Sequence, residues 1–544
     1  MASIFFGSKS RQLAEQSLLI KGLKKENKQL QAENKAVKDA YNTLKSENEA
    51  LKSELETAHE KYNQLESTME EQIAAAVAKA VEDITAAFKV ELNKAQIEIG
   101  NLKSMIKMDS SNSSKPPSTD GFKDIPNSRE NSNKTVGGQK GHPGHRLELP
   151  EYIDELEENG MLERRLVDNT DGSEEYVSKF ELDIEVKIIL TEHRFAKGAE
   201  IPVNLSNEVS YGNNLKAKSI LLLNEGTIAE KRLADIFREL THGVITLSPA
   251  TLENFQYQFA QTLDEAGELE AIKQDVKNSE VMNTDDTSVR SAERIVYPEN
   301  ENSDEKPKIE RAEKKSFRVT VRTHSTETST FYTVNPKKDI RGIERDGILP
   351  GYEGDLCHDH ESKFFNYGKR NSSCGGHLSR ELKGLRDLKH IEWADGMRKY
   401  ITGMNDYKNR DLAAGITVCD PDKLSGFESE YDRLIKEGFT ALGNMEGTEL
   451  GYKKFNAMLN RLDKRKDSYM LFMRDYKVPF TNNLAERDLR PLKTKEKVSG
   501  LFRSWKGAET HTKNRSFIST AKKRGKNLYL AILDVISGVP VFRY

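Results

Sequence analysis

The chain runs to 544 residues, too long for one ordinary domain, so three or four segments are expected. Charged residues make up 31%, the mean hydropathy is -0.71 and no run of about 18 apolar residues occurs, which excludes a membrane-spanning helix and fits a soluble protein. A formal net charge of -3 excludes a uniformly basic nucleic-acid coat, while three cysteines (Cys357, Cys374 and Cys419) exclude a disulfide framework and fit a reducing cytoplasm.

The opening stretch, Met1-Ala2-Ser3-Ile4-Phe5-Phe6-Gly7, carries no basic region, sustained apolar core or cleavage site, so no signal peptide is expected. A coiled-coil helix is predicted over 10–107. Leu23, Leu30, Val37, Leu44, Leu51, Ala58 and Leu65 recur every seven residues, with Asn27, Asn34, Tyr41, Asn48, Leu55, Tyr62 and Met69 as the partner row. The asparagines in the seam favour a parallel, in-register oligomer of low order, a homodimer in the simplest case. After Met69 the spacing becomes eleven (Ile73, Ile84, Ala95 and Ile106; Val77, Phe88 and Ile99), which relaxes or reverses the supercoil. A continuous helix here would be roughly 145 Å long at about 1.5 Å per residue. Residues 108–146 read as a polar linker, because Ser110 to Pro117 combines backbone-competing Ser and Asn with two prolines.

A small β-rich module is predicted over 147–210, from alternating runs such as Leu182-Asp183-Ile184-Glu185-Val186-Lys187-Ile188. A helical module over 211–275 follows, with a capped start at Ser248-Pro249. Helix-turn-helix DNA binding and a plain helical bundle are both open readings of it. Residues 276–377 form a strand-rich stretch with a hairpin between Ser316–Thr323 and Ser329–Val334. Residues 378–480 read as helical and charged, and 481–530 open a new helix at Asn482 or Thr481.

Three dispersed acids mark the chemistry: Asp285 and Asp359 close predicted strands, and Glu486 lies on the new helix just before cations. This order matches a ribonuclease H-like α/β core with a helical insertion. Such carboxylates suit two Mg2+ ions, hard cations that prefer oxygen ligands and activate phosphoryl transfer. Read singly, Glu486 is as readily a surface ion-pair partner of Arg490. His358 and His360 flank Asp359, and Cys374 pairs with His377, but no convergent Cys/His set accompanies them, so no zinc is expected. Past Glu486, the cations Arg487, Arg490, Lys493, Lys495, Lys497 and Arg503, with Lys506, Lys513, Arg515, Lys522, Lys523 and Arg524, far outnumber the acids. They read as a field for DNA phosphates, which positions DNA without reading its sequence.

At these residues the chain resembles the insertion sequence 66 transposases (TnpC-type, with an Asp-Asp-Glu site). The resemblance is carried by Ser113-Ser114-Lys115-Pro116-Pro117-Ser118, Gly137-Gly138-Gln139-Lys140-Gly141-His142, Asp285-Asp286-Thr287, Gly347-Ile348-Leu349-Pro350-Gly351-Tyr352, His358-Asp359-His360, Cys374-Gly375-Gly376-His377 and Asn482-Asn483-Leu484-Ala485-Glu486-Arg487. It implies that Asp285, Asp359 and Glu486 are catalytic and hold two Mg2+, which Mn2+ can replace; from the residues themselves, the Cys374/His377 pair reads as core or loop packing, with His377 and Arg380 as further candidates to approach the phosphate. It also implies a transposase that cleaves the 3′ phosphodiester at transposon ends and joins the freed 3′-hydroxyl to target DNA. Implied partners are DNA terminal repeats and target DNA, a homodimer or higher homo-oligomer, and small accessory proteins encoded nearby. Two features depart from the family: its Cys-x-x-Cys pairs are missing before Cys357, and Asp286 stands where Glu often follows the first acid. The rival readings are a metal-dependent nuclease without strand transfer and a non-catalytic coiled-coil protein that bridges DNA.

Overall fold

The computed structural model describes residues 22, 37, 40–54, 56–58, 61, 71–106, 149–169, 174–202, 205, 207–298, 305–313, 315–447 and 451–542. The chain is a multidomain α+β protein and divides into two compact units. The first takes Met1–Ile125, Glu280–Thr284 and Gly351–Asn483, and the second takes Pro126–Ser279, Asp285–Pro350 and Leu484–Tyr544. Strand β1 (Val281–Ser291) runs through the division.

In the first unit, residues 40–54 and α1 (Glu71–Ile106) are helical. The heptad residues Tyr41, Leu44 and Leu51 are exposed on the helix, and so is Ile84 of the eleven-residue series. The other predicted seam positions from Leu23 to Asn34, with Leu55, Tyr62, Leu65 and Met69, lie outside the described residues, as does the linker. The opening residues of β1 pair in parallel with β6 (Asp355–His358), Val281 opposite Asp355 and Asn283 opposite Cys357. Strand β6 in turn pairs in parallel with β7 (Arg370–Ser373), giving the order β1–β6–β7. The predicted helical stretch follows as α8 (Gly375–Lys389), α9 (Trp393–Ala413), α10 (Pro421–Gly443), α11 (Tyr452–Lys464) and α12 (Lys466–Arg474). Asp420 caps α10 by accepting from Lys423 N, with Pro421 in the first turn, where a missing N–H costs nothing. The helices close over one core that includes Leu378, Ile401, Tyr431, Phe455 and Met470.

In the second unit, α2 (Ile153–Glu158) precedes α3 (Asn213–Asn224), α4 (Glu230–Leu240), α5 (Pro249–Glu265) and α6 (Glu268–Lys277). Ser248 Oγ accepts from Thr251 N at the start of α5, the cap expected from the sequence. Helices α3 to α6 share a core with α14 (Trp505–Lys523) and α15 (Leu528–Ile536), where Phe259 meets Phe517 edge to face at 5.5 Å. The module is thus packed as a bundle. The strands expected within 147–210 are a correction: the described residues there form α2 and no strand. The alternating run leaves Ile184 89% and Leu190 93% exposed, and a strand needs a neighbour to pair with and an apolar surface to cover.

The predicted hairpin is present as β4 (Phe317–Ser325) and β5 (Thr330–Asn335), antiparallel with Ser325 opposite Thr330, and the order is β5–β4–β1. A second hairpin, β2 (Glu293–Val296) with β3 (Lys308–Arg311), has no counterpart in the sequence expectations. Helix α7 (Ile340–Asp346) follows β5. Helix α13 (Asn483–Ser499) carries Glu486 in its first turn and packs Leu489 and Leu492 against Val289, Val319, Val321 and Tyr332.

Candidate active site

Asp285 and Asp286 sit side by side in β1, so their side chains leave opposite faces of the strand. Asp286 points into the protein, its side chain 1% exposed. Its Oδ2 accepts from Arg322 Nη2 at 3.3 Å and its Oδ1 lies 2.7 Å from Lys338 Nζ. Arg322 is wholly buried and also pairs with Asp346, whose Oδ1 accepts from Asn335 Nδ2 at 2.7 Å. Burial holds the Asp346 carboxyl above its ordinary range, opposed by Arg322. Asp286 is therefore committed to an internal ion cluster. Asp285 is half-buried, and its Oδ1 accepts from the Asp286 backbone N at 2.8 Å.

Glu486 is half-buried in the first turn of α13, where the positive end of the helix dipole favours an acid. Two residues on, buried Asp488 fixes the helix. Its Oδ2 accepts from Ser325 Oγ at 2.7 Å, Thr330 Oγ1 at 2.8 Å and Lys523 Nζ at 2.7 Å, and its carbonyl accepts from Tyr332 Oη at 2.6 Å. Burial pushes the Tyr332 phenol up to about 12 and lowers Lys523 from the usual lysine range, Asp488 opposing the latter shift.

In the first unit, Asp359 follows β6 directly, is half-buried, and accepts from Glu361 N at 3.3 Å through Oδ1. His358 bonds the Asp359 carbonyl through Nδ1 and Asn371 Oδ1 through Nε2 at 3.0 Å. His360 Nδ1 meets Tyr469 Oη at 3.1 Å, and its ring lies 6.1 Å from that of His377. Burial depresses all three imidazoles, His358 and His377 to about 4 and His360 well below its ordinary value. His377 is thus largely uncharged at pH 7, and Arg380 is half-buried on the same helix.

The Asn482 side chain is wholly buried. Rather than capping α13, it donates to the Thr284 carbonyl at 2.8 Å and accepts from Asn283 Nδ2 at 2.9 Å, while its backbone N donates to Cys374 Sγ at 3.2 Å. It ties the residue before Asp285 to the residue before α13. Gly375 lies so close to this segment that a Cβ there would stand 2.1 Å from Phe480 Cε2, which explains one glycine of the Cys-Gly-Gly-His motif.

The cation field is smaller than the sequence count. Arg515 and Lys522 pair with Glu225, Lys513 with Asp264, Lys523 with Asp488 and Arg524 with Asp275. Lys493 donates to the Ser288 carbonyl at 2.8 Å, and Lys495 lies 3.6 Å from Glu230 Oε1. Arg487, Arg490 and Lys497 are exposed and spaced to share one face of α13, with exposed Arg503 and Lys506 beyond, while Lys522 is exposed beside its partner Glu225.

A family model described as "Transposase IS66 family" matches residues 208–510, more than half of the chain. A model of a family of unknown function (DUF6444) matches residues 10–148. No curated protein matches the chain, and no solved structure does.

Proposed function

The chain belongs to the IS66 family of transposases, and from that premise we propose that it cleaves the 3′ phosphodiester at the ends of a mobile element and joins the freed 3′-hydroxyl to target DNA. Asp285, Asp359 and Glu486 are the acids of this reading, on a ribonuclease H-like core. The observation that carries it is Glu486 in the first turn of a pinned helix whose exposed face continues as Arg487, Arg490 and Lys497. Support also comes from the strand orders within each unit, parallel β1–β6–β7 and β5–β4–β1 with an antiparallel hairpin.

The donor chemistry of the three acids suits a hard divalent cation, since each is a half-buried carboxylate, and His358 is engaged with Asn371 and His360 with Tyr469. Asp285, Asp359 and Glu486 would hold Mg2+, or Mn2+ in its place. The ions supply activation of the attacking hydroxyl and neutralisation of charge at the phosphate. The chain's own part is positional. Asp488 fixes the helix under Glu486, the Arg322 cluster fixes β1 beside Asp285, and the cation stripe holds the DNA backbone. The exposed seam residues Leu44 and Leu51 support a homodimer through the N-terminal helix.

The test is a metal-dependent assay with DNA carrying the element's ends, scoring cleavage and joining for wild type and Glu486→Gln. The reading expects Mg2+-dependent products from wild type and none from the variant, with DNA binding retained. Equal products from both proteins would sink the assignment of Glu486. Cleavage without joining would favour a nuclease.

A further inference from the structure

A second group of cations in the second unit lies on β1 and β4, outside the stretch that follows Glu486. Arg290 near the end of β1 and Arg318 at the start of β4 both reach Glu496 of α13. Arg290 Nε is 3.3 Å and Arg318 Nη1 is 3.6 Å from Glu496 Oε1, and the Arg290 backbone N donates to the same oxygen at 3.0 Å. Lys493 Nζ stands 4.0 Å from Oε2. One carboxylate thus faces three cations. Its side chain is 14% exposed, whereas those of Arg290 and Arg318 are 47% and 64% exposed. A cluster built for stability alone gains little from excess cations in water, where even matched pairs contribute about 0–1 kcal/mol. Here two positive charges remain unbalanced and the guanidiniums are held by an acid from the protein side, with much of their surface open to solvent. Lys493 also donates to the Ser288 carbonyl of β1 at 2.8 Å, and burial lowers its ammonium from the usual lysine range, opposed by Glu496.

We infer that Arg290 and Arg318 bind the DNA backbone beside the end of α13, one phosphate each, with Glu496 aligning them before DNA arrives. The inference rests on the transposase reading and adds residues to its DNA track. Guanidinium forks suit phosphate oxygens, and an acid partner that yields to a phosphate costs little to replace.

The test uses the full chain and two duplexes, one with the element's end sequence and one unrelated, with fluorescence anisotropy titrations at several salt concentrations. Arg290→Ala/Arg318→Ala is expected to weaken binding to both duplexes alike and to lower the slope of log K against log salt by about 2, at roughly 0.9 per phosphate contact. Glu496→Gln removes the competing acid and is expected to tighten binding, by about fivefold at most. A purely structural cluster predicts the opposite sign for Glu496→Gln. An unchanged salt slope in the double variant, or weaker binding by Glu496→Gln with an unchanged melting temperature, overturns the inference and leaves the transposase reading standing. Wild-type protein that binds neither duplex overturns both.

Discussion

Asp285 and Asp286 are the same residue type one position apart, yet Asp286 is enclosed in a buried ion cluster while Asp285 is half-buried. Asp285→Asn is expected to abolish Mg2+-dependent products while leaving unfolding in urea near wild type. Asp286→Asn weakens the compensation of the wholly buried Arg322 and is expected to cost about 3 kcal/mol, the scale for breaking a buried ion pair. Activity and urea midpoints measured on the two variants check this. The reverse pattern, an inactive but stable Asp286→Asn, would make Asp286 the reacting acid. The sequence offered a motif match for this choice and no physical reason, because Arg322, Lys338 and Asp346 are remote in sequence. In the same way, Lys523 and Arg515 counted as surface cations until their partners Asp488 and Glu225 appeared.

At the scale of elements, α13 is held by polar contacts as much as by Leu489 and Leu492. Asp488→Ala leaves Lys523 buried without its acid and frees the Ser325 and Thr330 hydroxyls. The expected loss is about 3 kcal/mol or more by urea denaturation, with a fall in activity even at temperatures where the variant is folded. Wild-type-like stability would mean that apolar packing alone seats the helix. The helices within 211–275 and 378–480 and the β4–β5 hairpin were legible because their apolar periodicity and turn residues are local signals. The β2–β3 hairpin was not, since its strands are four residues each and largely exposed. The strands expected in 147–210 failed for a different reason: alternation describes a surface that a strand could offer, and supplies no neighbour to take it.

For the molecule as a whole, the overall charge of -3 hides a local excess of cations on α13, so total charge says little about whether the chain meets DNA. The acid series and its order were readable in the sequence, whereas the hydrogen bonds through Asn482 that link β1 to the entry of α13 required the fold. Oligomeric state is decided at this scale. Leu44→Asp/Leu51→Asp in the full chain is expected to convert a dimer into a monomer by light scattering, because a charge at a seam position opposes helix pairing. A variant that keeps the wild-type mass would remove these residues from the interface.

The extended, apolar stretch around Ile184 and Leu190 has a practical consequence for anyone handling this protein. Water-exposed Ile184, Val186, Ile189 and Leu190 offer apolar surface to which another chain adds. Concentrated stocks are therefore expected to lose protein to haze and precipitation through this segment. Lysines at positions 184 and 188 offer a route to cleaner preparations without touching a residue of the acid series.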